Sequence, residues 1–175
     1  DEIVVCDTGS TDNTVAACRR YGARVVERPW RDFATARNYS LALAHGRFCM
    51  WLDGDDDVSC EDMYKIRASL DAAAENMGFF MNLFCESPHP ERQMTCQQLR
   101  IFPNLPGLRW DRKIHEQIVN SCAERGVRFA ALGGIPLWYY ALSAIFVLAG
   151  WLLLFASAVD ARLTVLPDGA NLALG

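Results

Sequence analysis

The chain reads as an α/β protein, a parallel sheet covered by helices, and three observations predict this class. Short apolar runs alternate with helical stretches from residue 3 to residue 52, turn residues punctuate each change, and acidic residues gather where two of the apolar runs end. Residues 3–6, Ile-Val-Val-Cys, form the first apolar run and predict a strand. Asp7-Thr8-Gly9-Ser10-Thr11-Asp12 is turn chemistry, and residues 13–21 carry helical spacing that Gly22 stops. Residues 23–27 predict a second strand, leading through Pro29 and Trp30 into a helix over 33–44 that His45-Gly46 ends. Residues 48–52 predict the third strand.

That third strand delivers Asp53-Gly54-Asp55-Asp56-Asp57 to its carboxyl end. Ligands of open α/β sheets collect beyond the carboxyl ends of the strands, and Asp7 lies at the same edge. Four carboxylates so close repel one another unless a hard divalent cation, Mg²⁺ or Mn²⁺, neutralises them and bridges to phosphate oxygens. A calcium loop is excluded because its glycine and bidentate acid are missing at the later positions. Neither a Gly-x-x-x-x-Gly-Lys loop nor a Gly-x-Gly-x-x-Gly fingerprint is present. The net charge of −4 and the scattered basic residues argue against nucleic acid.

Residues 5–14 (Val-Cys-Asp-Thr-Gly-Ser-Thr-Asp-Asn-Thr), 33–38 (Phe-Ala-Thr-Ala-Arg-Asn) and 51–56 (Trp-Leu-Asp-Gly-Asp-Asp) together resemble the family 2 glycosyltransferases of GT-A fold. Arg100-Ile101-Phe102-Pro103-Asn104 and Ile114-His115-Glu116-Gln117-Ile118 are similar to later landmarks of one bacterial branch of that family. The resemblance implies a metal-dependent, inverting transfer of a sugar from a nucleotide-diphospho-sugar donor to an unidentified acceptor. It assigns Asp7 to the nucleotide, Asp53 to the ribose and the metal, Asp55 to the metal, and Arg37 to the diphosphate. Glu116 and His115 become the candidates for the base that takes the acceptor's proton. Asp7 has an alternative as a turn aspartate bonding its own backbone, and Arg37 as an ordinary solvated helix residue. In the family the sheet starts with a strand upstream of the Asp7 strand. This sequence opens at Asp1, so part of the base pocket and one strand edge are expected to be left open.

Seven cysteines, an odd number without Cys-x-x-Cys spacing, fit a reducing compartment and small core side chains. No secretory leader opens the sequence, and the start reads as a cut.

Composition changes after Arg128. Residues 129–159 carry no charge, and 137–159 form an apolar run entered through Trp138, Tyr139 and Tyr140. Roughly 20 residues at about 1.5 Å each cross a bilayer core, so the run predicts one transmembrane helix with an aromatic belt. Arg125 and Arg128 outweigh Arg162, which puts the first domain on the cytoplasmic side of the membrane. After the span, Asp160 followed by Leu166-Pro167-Asp168 resembles the first active-site segment of prepilin peptidases, membrane aspartyl proteases. That resemblance implies an alternative peptidase site at Asp160, whose partner aspartate lies in a later motif not found here. The expected organisation is a glycosyltransferase-like, Rossmann-like partial domain over 1–136 and a membrane segment over 137–175. A membrane-anchored module without turnover is the other alternative.

Overall fold

The computed structural model describes residues 2–86, 94–140 and 152–158. In chain order these are β1 (Glu2–Asp7), α1 (Thr14–Arg20), β2 (Arg24–Glu27), α2 (Phe33–Leu41), β3 (Phe48–Asp53), β4 (Asp56–Asp57), α3 (Cys60–Asp71), β5 (Met77–Glu86), β6 (Met94–Pro103), α4 (Val119–Glu124), β7 (Arg128–Tyr140) and β8 (Leu152–Ala158). The first three strands and two helices stand where the sequence puts them, with ends within three residues.

Local chemistry sets the boundaries. Asp32 caps α2, its carboxylate accepting from the Thr35 N–H at 2.7 Å. Ser59 caps α3 by accepting from the Asp62 N–H, while its hydroxyl donates back to the Asp62 carboxylate. Gly22, at φ +82°, takes the left-handed turn that ends α1.

Among the described residues the strands form one sheet in the order β2-β1-β8-β3-β6-β5-β7-β4. β3 alternates its side chains between the two faces. Cys49 and Trp51 join Ala34 and Leu41 of α2 and Cys122 of α4 in one apolar cluster, and Phe48 and Met50 join Ile66 and Leu70 of α3 in the other. Helices therefore cover both faces.

β8 corrects two expectations. It pairs antiparallel with β1, from Glu2↔Ser157 to Asp7↔Leu152, and also with β3, from Phe48↔Ala158 to Asp53↔Leu153. The slot between β1 and β3 is thus filled, not left as an open edge. The single helix expected over 137–159 is not formed by the described residues of that run: 137–140 continue β7, and 152–158 are β8. A strand enclosed between two neighbours needs no charge along its length, so an uninterrupted apolar run suits it as well as it suits a membrane span. Among the described residues no helix is long and apolar enough to cross a membrane. Asp160 and Asp168, on which the peptidase resemblance rests, lie outside the described residues.

Candidate functional site

β1 and β3 both run antiparallel to β8 and hence parallel to each other, so Asp7 and Asp53 emerge at the same edge of the sheet, opposite the neighbouring residues Leu152 and Leu153. Two strand spacings separate them, roughly 10 Å. Asp7 is buried, and its carboxylate accepts from the backbone N–H groups of Gly9 (3.1 Å) and Ser10 (3.2 Å). The turn it holds requires glycine at position 9, where φ is +124°. The self-bonding turn and a place at the edge are therefore both true of Asp7.

At the β3 end the chain supplies two buried guanidiniums. Arg37, on α2, is only 3% exposed, so the solvated reading of it does not hold. Its Nε donates to Glu116 Oε1 at 2.7 Å and its Nη2 to Asp53 Oδ1 at 2.9 Å. The cation lies 4.0 Å from the ring centre of Trp51 and 5.0 Å from that of Trp110. Nη1 is buried with no hydrogen-bond partner. Arg100, on β6, packs 3.7 Å from the Trp51 ring and donates from Nη1 to Asp56 Oδ2 at 2.5 Å, with Asp53 Oδ2 at 3.9 Å.

Asp53 thus sits between two cations. Asp56 points inward, fully enclosed, and also accepts from the Asp53 N–H at 2.8 Å, which tightens the acidic turn. Burial pushes the Asp56 carboxyl up to about 6; Arg100 opposes that rise, and the charges of Asp53 and Asp55 add to it. Asp57 is exposed and pairs through its backbone with Trp138 of β7.

Glu116 is reached through a hairpin closed by reciprocal backbone bonds between Asp111 and Gln117. The hairpin is fastened to α2 by Asn38, which donates to the Trp110 carbonyl and accepts from the Trp110 N–H. Glu116 turns in toward Arg37, whereas His115, on left-handed backbone at φ 55°, stays exposed. The two candidate bases therefore lie in different surroundings.

Among the described residues no group of three or more His, Cys, Asp or Glu side chains converges as a ready-made metal cage. A hard divalent cation would need oxygen donors here. Asp53, Asp56 and Glu116 share two guanidiniums, Arg37 and Arg100, and the charge of Asp55 also reaches Asp56. Asp53 and Asp55 are the residues that would hold such an ion, because Asp56 is spent on Arg100.

Arg100, Trp51 and Asn38 lie in the motifs without an assigned role, and Trp110 lies outside them; all four pack or bond at this site. Arg100 carried a signal, being the one charge in an otherwise apolar strand end, Leu99 to Pro103.

Residues 1–132 match the family model described as Glycosyl transferase family 2. A TPR repeat-containing protein of Synechococcus elongatus is 33% identical over 122 residues, covering 69% of this chain and 30% of that protein. An uncharacterized glycosyltransferase of Rickettsia conorii is 34% identical over 61 residues, 35% of this chain and 22% of that one. The lipopolysaccharide core biosynthesis glycosyltransferase LpsC of Rhizobium meliloti is 29% identical over 129 residues, 67% of this chain and 47% of LpsC. The chain spans less than half the length of each of these relatives.

Proposed function

The chain belongs to glycosyl transferase family 2, and from that premise we propose that it transfers a sugar, with inversion, from a nucleotide-diphospho-sugar bound across the carboxyl ends of β1 and β3. The observation that carries this reading is the buried Nη1 of Arg37, a cationic donor with no partner beside Asp53, where a diphosphate would lie. Asp7 faces the nucleoside end and Asp53 the ribose. Arg37 meets the phosphate charge that grows as the glycosidic bond breaks, and its fixed place against two indoles means it need not reorganise to do so.

A divalent cation, Mn²⁺ or Mg²⁺, held by Asp53 and Asp55 would supply further charge stabilisation to the leaving diphosphate. The acceptor hydroxyl attacks the anomeric carbon from the face opposite the leaving group, and its proton passes to Glu116 or His115. Glu116 is the better supported of the two because it is turned into the site.

Titration of UDP, GDP and dTDP sugars with and without Mn²⁺ tests the reading. Metal-enhanced binding of one donor, followed by sugar release, is the expected result. No binding to any of them, or binding indifferent to metal, overturns it, and binding without transfer reduces the chain to a donor-binding module.

A further inference from the structure

Two loops at the site edge carry a surface that sugar transfer does not use. Arg28, Trp30 and Arg31 stand between β2 and α2, and Arg112, Lys113 and Ile114 stand on the Asp111–Gln117 hairpin; all six are exposed, Trp30 at 43% and Ile114 at 68%. The loops adjoin the same rim. The Arg28 N–H donates to the Asp7 carbonyl at 2.9 Å. The Asp32 carboxyl is held below its usual range by its hydrogen bonds to Thr35 and, beyond those, by the charges of Lys113 and Arg31.

In a chain of net charge −4 this rim is locally positive. Of the acids on these loops, Glu27 pairs with Arg19 and Glu116 with Arg37, so Asp32 and Asp111 stand against the four rim cations. The hairpin backbone adds a second observation. Arg112 and His115, neither of them glycine, hold left-handed φ values of 67° and 55° on either side of Ile114. Such backbone persists where the surroundings impose it and concentrates at functional segments. Here it presents an apolar side chain to water.

We propose that this rim docks the chain on an anionic bilayer surface, with Trp30 and Ile114 entering the headgroup layer and Arg28, Arg31, Arg112 and Lys113 meeting lipid phosphates. Exposed apolar tips flanked by cations are what an interface with anionic lipid selects. Cations spread over two loops suit a plane of charges better than a single free phosphate. The site edge would then open toward the membrane.

The test is co-sedimentation of the whole chain with phosphatidylcholine vesicles, with and without phosphatidylglycerol. Binding confined to the anionic vesicles and weakened by salt is expected. Each cation near the surface strengthens binding about fivefold, so Arg31→Glu with Lys113→Glu should weaken it by at least about tenfold. Trp30→Ala with Ile114→Ser should also weaken it, and Tyr64→Ser on α3 should not. Equal binding to both vesicle types, binding indifferent to salt, or undiminished binding by the rim variants overturns the proposal. Retention on heparin with no vesicle binding also overturns it, in favour of a soluble polyanion. No donor is needed for the assay, so its outcome is separate from that of the sugar-transfer reading.

Discussion

Arg37 and Glu116, 79 residues apart in sequence, are joined by a 2.7 Å ion pair that ties α2 to the hairpin beyond Trp110. Both side chains are largely shielded from water, so neither charge is easily left alone. Arg37→Ala should destabilise the fold by about 3–5 kcal/mol in a denaturant titration, because it strands the carboxylates of Glu116 and Asp53. Arg37→Lys keeps the charge but cannot bridge both acids from a planar fork, and should cost less stability while still weakening nucleoside diphosphate binding.

The acidic turn divides into two kinds of aspartate. Asp55→Ala should remove metal-dependent donor binding with little change in melting temperature. Asp56→Ala should do the reverse first, costing about 3–5 kcal/mol by leaving Arg100 buried without its carboxylate. Calorimetric melts and donor titrations of the two variants separate these outcomes.

Asp56 also gives stability a pH dependence. Its carboxyl titrates near 6 in the native chain and near its ordinary value of 3.8 when unfolded, so between those values the native state holds the extra proton. The contribution of this group is greatest below about pH 4 and is lost as pH rises through about 6. Chemical denaturation from pH 4 to 7 should show that loss superposed on other groups, and Asp56→Asn should flatten it.

Thiol labelling should follow burial. Cys96 is exposed, whereas burial pushes Cys6 up to about 11 and Cys49 and Cys122 to about 12. At mildly alkaline pH a disulfide reagent should modify Cys96 at once and reach these three only on unfolding.

Leu154 pairs with Val5 on one side and Leu52 on the other. Leu154→Pro removes a ladder N–H in the middle of the sheet and should cost about 3 kcal/mol or more, read as loss of the cooperative melt. A membrane helix over the same residues would leave the melt of the preceding domain unchanged.

The edge that carries Asp7, Asp53 and Asp55 was legible because Gly9, Gly22, Pro29 and Gly46 punctuate the chain between short apolar runs. Periodicity could not place β8, since its seven uncharged residues lie inside the apolar run of 137–159, whose length reads as a membrane span. Arg100 beside Trp51, and Glu116 against Arg37, depend on which strands and loops become neighbours, and no local pattern states that. Beyond residue 57 the punctuation weakens, and α3, β5, β6, α4 and β7 leave no comparable local signal.

The insertion of β8 fixes an order of events. It follows β1 by more than 140 residues and β3 by nearly 100, yet lies between them. During synthesis β1 and β3 leave the ribosome long before the strand that joins them, so the sheet exists as two pieces with unpaired inner edges until residue 158 has emerged. Such edges recruit other strands. The nascent chain therefore carries these open edges until β8 emerges, and closure by so distant a segment makes this step slow compared with formation of the local helices.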